Sequence, residues 1–251
     1  MEIASLGSGS RGNGTLIRQG STCILIDCGF SYREAIKRLH QRSLAPEALS
    51  AIFVTHEHSD HATGVKALSE QHQIPVYATR GTWIEIGGRA SDLHHELTQS
   101  TQLNELHIEP VTVPHDARQP VQYVISSLTH RFGVLSDLGS VSKTVIERFQ
   151  NLDGLSLEFN HDLQMLADGP YPSFLKQRVG GDFGHLNNGQ AMALLQQIAS
   201  TRLQTVIACH LSAQNNAEAL VEAALEQALE PFSTQRMIAT QDFGFDWMRL
   251  G

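Results

Sequence analysis

Thr55–His61 reads THEHSDH, and four of its seven side chains can bind a metal: His56, His58, Asp60 and His61. The cluster follows the apolar run Ala51–Val54, which reads as a buried strand. It therefore sits where a strand ends and a loop turns into a helix. His56 and His58 are two apart and face the same way off an extended segment. Asp60 and His61 follow the turn and face a second point. One loop can thus serve two cations. Imidazoles with further nitrogen or oxygen ligands suit zinc, manganese or iron.

The chain around this loop has 251 residues, 41% of them hydrophobic, enough for a sizeable core. No low-complexity linker divides it, so residues 1–251 are read as a single domain. No run approaches the ~20 apolar residues of a membrane span. The start, MEIASLGSGS, lacks the basic and apolar regions of a signal peptide. Cys23, Cys28 and Cys209 lie in or beside apolar runs and read as buried free thiols, which suits a cytoplasmic protein. The net charge of -8 argues against gripping nucleic acid through overall charge. It leaves room for phosphate binding through metals and a local basic patch.

Strands and helices alternate in the pattern, which points to an α/β layered fold. Strands are expected at Ile3–Leu6, Thr15–Ile17 and Cys23–Ile26, with a helix from the cap Ser31 to about Arg42. One helix is expected from about Asp60 to His72. The polar stretch from Gly87 to Leu103 gives no clear element, and His94 and His95 read as surface-loop residues. Asn187 or Asn188 is placed to cap a helix running to about Ser200. The loop GSGSRGNG, Gly7–Gly14, offers tight turns and bare amides that can cradle an anion. It is not a Walker motif, since no Lys-Ser/Thr pair closes it.

Polar groups recur at strand ends: Asp27, the 56–61 cluster, His115, Asp137, the run Glu158–Asp162 and His210. Loops at one end of a packed sheet converge into a site. Asp27 is a candidate to orient a metal-bound imidazole.

THEHSDH resembles the signature of the metallo-β-lactamase-fold hydrolases. The stretches GSGSRGNG, VPHDA, EFNHD, YPSFLKQR, GHLNN and HLSAQNN narrow the resemblance to the YycJ/WalJ group of cytoplasmic bacterial exonucleases. It reaches from Gly7 to Asp242, with Phe159 and Asn187 as visible departures.

The resemblance implies a four-layer αββα sandwich, with two mixed sheets face to face and helices outside. It implies two divalent ions, one on His56, His58 and His115 and the other on Asp60, His61 and His210, with Asp137 as the bridge. It further implies a phosphodiesterase that removes nucleotides from a 5′ end of DNA through metal-activated hydroxide. His185 is the expected proton donor, with Asp60 and His161 also in the catalytic group. Ser8, Ser10, Asn13, Lys176 and Arg178 are the candidate substrate contacts, with Arg11 and Arg18 as further basic candidates. Partners are DNA ends, with no membrane and no obligate protein partner. The alternatives are an RNase Z-like ribonuclease and a glyoxalase II-like thioester hydrolase of the same fold. A binding protein that merely keeps the fold is a third class, against which the seven intact ligand positions argue.

Overall fold

Most strands bury side chains on both faces, so their sequences read as apolar runs rather than clean alternations. In the computed structural model, residues 1–88 and 91–251 are described. The first part of the chain forms β1 (Glu2–Gly7), β2 (Gly14–Gln19), β3 (Thr22–Ile26), α1 (Tyr32–Gln41), β4 (Ala51–Phe53), α2 (Ser59–Ala62), α3 (Val65–His72), β5 (Val76–Ala78), α4 (Arg80–Glu85) and β6 (His94–Glu96). There follow β7 (Thr101–Leu103), β8 (Leu106–Thr112), β9 (Val121–Ser126), β10 (Arg131–Leu135), α5 (Lys143–Arg148) and β11 (Gly154–Glu158). The chain closes with α6 (Leu163–Asp168), α7 (Ser173–Val179), α8 (Asn188–Ile198), β12 (Thr205–Cys209), α9 (Glu218–Leu229), β13 (Gln235–Ile238) and β14 (Phe245–Arg249).

Among the described residues the strands form two seven-stranded sheets, ordered β14-β1-β2-β3-β4-β5-β6 and β13-β12-β11-β10-β9-β8-β7. Side-chain alternation then sets the layers. Ile24 and Ile26 pack between the sheets with Ile108, Ile125 and Phe132. Leu25, between them, turns outward to Leu39 of α1 and Leu68 of α3. On the other sheet, Val124 and Leu157 meet Phe149, which caps the end of α5, with Leu194 of α8 and Leu225 of α9. The result is the four-layer αββα sandwich that the sequence resemblance implies.

Helix starts follow local chemistry. The Ser31 hydroxyl accepts the Glu34 amide at the start of α1. Asn187 and Gln190 form a reciprocal capping box on α8.

Two expectations change. The single helix expected over 60–72 is two helices, broken before Gly64. A Cβ there would lie 2.3 Å from the Phe30 carbonyl oxygen, so the chain crosses itself too closely for any larger residue. His94 and His95 are not loop residues. They lie on the edge strand β6, which pairs in parallel with β5. Their rings stack on Trp83 and Tyr77, at 4.0 and 4.7 Å. An edge strand of this length is held by backbone pairing and needs no apolar pattern, which hides it in a polar stretch. Part of that stretch, residues 89 and 90, lies outside the described residues. Helices α6 and α7 are not among the expected elements, and α7 has no buried residue to mark it.

The two sheets are also joined by a polar contact next to the histidine loop. The buried Tyr123 hydroxyl donates to the Val54 carbonyl at 2.6 Å. Tyr123→Phe strands that carbonyl in an apolar layer. It should lower the unfolding free energy by ~1–3 kcal/mol, read from denaturant unfolding. Unchanged stability would show that the bond contributes nothing net.

Candidate metal centre

Strand direction assembles the site. β3 and β4 run parallel, as do β10, β11 and β12. β8 pairs antiparallel with β9 and β9 with β10, so β8 runs with β10. The C-terminal ends of these strands therefore share one edge of the sandwich. Asp27, the 55–61 loop, His115, Asp137, Glu158 and His210 all leave from that edge.

One set of nitrogens comes from His56, His58 and His115. His58 Nδ1 lies 3.0 Å from His56 Nε2 and 3.3 Å from His115 Nε2. His115 Nδ1 faces the Gly184 carbonyl at 2.9 Å, and donating there leaves Nε2 free as a lone pair. A second set comes from Asp60, His61 and His210. His210 Nε2 lies 3.2 Å from Asp60 Oδ2, and His61 Nε2 lies 3.5 Å from the same oxygen. Asp27 holds the His61 ring from behind, 2.8 Å from Nδ1, and is itself fixed by the Thr55 amide and hydroxyl. Such an outer partner sets the ring's tautomer and direction.

Asp137 stands between the two sets. Its carboxylate is 3.0 Å from His61 Nε2, 3.3 Å from His210 Nδ1 and 3.9 Å from His115 Nε2. Asp137 Oδ2 is buried and makes no well-formed hydrogen bond, with the His61 ring nitrogen 3.0 Å away. Buried carboxylate oxygens are rarely left that way unless a cation serves them. The nitrogen–oxygen donor sets fit divalent cations of the zinc, manganese and iron type.

Backbone strain marks the same residues. Asp27 and His210 adopt positive φ, 62° and 54°, outside glycine's usual role. The strain aims side chains inward from the strand ends. Gly29 supplies the closest approach. A Cβ there would lie 1.7 Å from the Asp60 carbonyl oxygen, so the turn after β3 seats the Asp60 loop directly.

The electrostatics are those of an anionic site holding protons in place of cations. Burial pulls His210 down, but Asp137, Asp60 and Glu158 outweigh it and push the ring up to about 10. Burial likewise opposes protonation of His61, and Asp137, Asp60 and Asp27 together raise it well above the ordinary imidazole value. His56, among other imidazoles, is instead driven well below that value, first by burial.

Glu158 is the site residue that motif reading left unassigned. It is fully buried, and its Oε1 lies 2.7 Å from His185 Nδ1 and 3.2 Å from His210 Nδ1. Its Oε2 accepts the amides of Leu138 and Leu186. The one signal in the sequence is its place at the end of an apolar strand, which ordinary turn-forming carboxylates share. Glu158, His185, Asp137 and His210 also fall in one possible ligand group.

The open face is a cleft of about 400 Å³, lined by Ser10, His58, Asp60, Tyr171, Arg178 and His185 among others. Of the proposed substrate contacts, Ser10 and Arg178 reach it. Ser8 and Asn13 are spent inside the glycine loop. The Ser8 hydroxyl accepts the His210 amide, while the Asn13 amide group contacts Gly9, Asp60 and His61. Lys176 turns away to the Ala167 carbonyl, and Arg178 pairs with Asp116. Arg11 pairs with Asp242, and Arg18 with Glu2. His161 is fully buried beside Gly180 and does not line the cleft. The three cysteines are free and buried, and burial pushes Cys23 and Cys28 up to about 12, so neither offers a thiolate.

Two layered sheets with a histidine–carboxylate centre at their shared edge define a metallohydrolase of the β-lactamase type. A family model described as the β-lactamase superfamily domain matches residues 22–210. The chain is 32% identical over 232 residues to exodeoxyribonuclease WalJ of Streptococcus pneumoniae, covering 89% of this chain and 86% of that one. It is 29% identical over 236 residues to exodeoxyribonuclease YycJ of Bacillus anthracis, covering 92% and 89%. The metallo-β-lactamase fold protein YhfI of Bacillus subtilis shares the fold, with a TM-score of 0.77, 17% identity and 98% of each chain covered. The chain belongs to the β-lactamase superfamily and, within it, to the family of the WalJ and YycJ exodeoxyribonucleases.

The raised values of His61 and His210 carry a consequence. With no cation both rings hold extra protons at neutral pH, and a cation must displace them to gain its lone pairs. Metal uptake at pH 7 should therefore release at least about one proton per chain, and affinity should fall as pH drops. Calorimetry in buffers of different ionisation enthalpy measures this. Uptake with no proton release would contradict protonation of His61 and His210 by their carboxylate neighbours.

Proposed function

We propose that the protein is a two-metal phosphodiesterase that removes nucleotides from a 5′ end of DNA. The observation that carries the reading is the pairing of two ligand sets around one shared carboxylate, Asp137, at the floor of an open cleft. The exodeoxyribonuclease relatives, matched over most of the chain, support DNA as the substrate. The 5′ direction is the one implied by the sequence resemblance. No helix among the described residues is long and apolar enough to cross a membrane. We place the protein in the cytoplasm, acting as a single domain with no obligate protein partner.

When bound, the cations (zinc, manganese or iron) lower the pKa of water and neutralise charge on the phosphoryl oxygens. The chain's own residues do the rest. Arg178 and the Ser10 region flank the cleft and orient the phosphate. Asp27 and Glu158 hold the rings of His61, His185 and His210 against rotation. His185 is one-fifth exposed and lines the cleft, with Nδ1 anchored on Glu158. That leaves Nε2 to carry a proton toward the departing alkoxide. Burial disfavours the charged ring, yet Glu158 and then Asp137 raise it above the ordinary histidine value. His161 sits too deep to donate directly and supports the turn that carries His185.

Elemental analysis of protein purified without chelator should approach two equivalents of divalent metal. At most one after saturation would contradict the pairing. Asp137→Ala should lower both equivalents together.

His185→Ala should retain its metal while kcat falls ~10²-fold or more, about 2.7 kcal/mol of transition-state stabilisation. Loss of metal would make His185 a ligand, and unchanged turnover would remove it from the mechanism. Parallel assays on single-stranded DNA, RNA and S-lactoylglutathione with Mn²⁺ test the substrate. Preference for either of the latter two would replace the DNA reading.

A further inference from the structure

The segment from Tyr171 to Phe183 roofs the cleft and is built unlike the other layers. Its helix α7 has no buried residue, so core burial does not hold it in place. Leu175, Arg178 and Val179, at i, i+3 and i+4, share one face and line the cleft, and Tyr171 joins them just before the helix. Phe174 and Phe183, on either side, are 72% and 62% exposed. Most other phenylalanines of the chain are buried in the core layers. Exposing aromatic rings beside a cleft forgoes their burial energy unless a ligand covers them.

The roof and the floor differ in chemistry. The floor is imidazole and carboxylate, which suits phosphate through cations. The roof is aromatic and aliphatic with one guanidinium. Arg178 is tied to Asp116, whose Oδ1 lies 3.7 Å from His58 Nε2, so the cationic part of the roof stands directly over the first ligand set. A nucleotide has the same two parts, an anionic phosphate and a flat ring joined by a sugar. The cleft, about 400 Å³, is at the lower end of the ~300–1,000 Å³ range of small-ligand sites. That size suits one unpaired nucleotide.

The geometry points to the 171–183 roof as a base-stacking subsite, in which the Tyr171 ring takes the nucleobase of the terminal nucleotide while its phosphate meets the floor. This rests on the phosphodiesterase reading and adds to it a substrate class: a frayed or single-stranded end. Stacking is tolerant of sequence because every base has a π-face. Phe174 and Phe183 extend the surface at the rim for the neighbouring base. A cationic side chain beside the rings follows the pattern of single-strand binding grooves.

The test uses the full-length, Mn²⁺-loaded protein and two 5′-phosphorylated single-stranded oligonucleotides. They are identical except that one ends in a tetrahydrofuran abasic residue. Wild-type kcat/KM should favour the base-bearing end by about tenfold or more. Tyr171→Ala should bring that ratio toward one, with metal content unchanged, and Tyr171→Phe should keep it. Should Tyr171→Ala fail to fold, Phe174→Ala serves in its place, with a several-fold loss of affinity for single strands as the expected result. A wild-type ratio near one, a ratio kept in Tyr171→Ala, or equal damage from Tyr171→Phe would overturn the subsite. Cleavage of neither oligonucleotide by the wild type would overturn the phosphodiesterase reading itself.

Discussion

Buried negative charge is the constraint on which this molecule turns. Asp27, Asp137 and Glu158 are each at most 2% exposed, and four of the imidazoles around them are buried too. Isolated, any one of these carboxylates would cost several kcal/mol to bury. Paired with the imidazoles they cross-link the two sheets, and bound cations would add to that link. Asp27 belongs to one sheet, Asp137 and Glu158 to the other, and His61 contacts both Asp27 and Asp137. The same atoms that tie the sandwich together at its edge are those proposed to form the chemical centre.

The arrangement explains why neighbouring features are built as they are. The glycine loop Gly7–Gly14 acts mainly through its interior, since Asn13 ties Asp60 and His61 while Ser8 ties the His210 backbone. Gly29 and Gly64 allow the chain to cross close to the same loop, where any Cβ would collide with backbone. Strain at Asp27 and His210 is tolerated because hydrogen bonds on several sides determine those conformations. Above this floor lies the segment 171–183, whose helix α7 has no buried residue. A rigid centre under a more exposed cover is a common division between chemistry and substrate capture.

Much of this was legible in the sequence. Buried parallel strands show as short apolar runs, and a polar side chain able to bind metal soon after each run is conspicuous, as after Val54, Leu135 and Cys209. THEHSDH, His115, Asp137 and His210 were visible for that reason. Glu158 closes its strand in the same way, but carboxylates at strand ends also form ordinary turns, so nothing local separated it from them. The roles of Ser8 and Asn13 were hidden because hydrogen bonds to residues far along the chain have no sequence period. β6 and α7 were illegible for opposite reasons: one is a polar edge held by its backbone, the other a helix with no core face.

The central claim is a pair of divalent ions sharing Asp137. Anomalous diffraction from crystals loaded with Mn²⁺ tests it most directly. Two peaks ~3.5–4 Å apart are expected, one on either side of the Asp137 carboxylate. One should sit among His56, His58 and His115, the other among Asp60, His61 and His210. A single peak at saturation, or a pair that Asp137 does not touch, would contradict it.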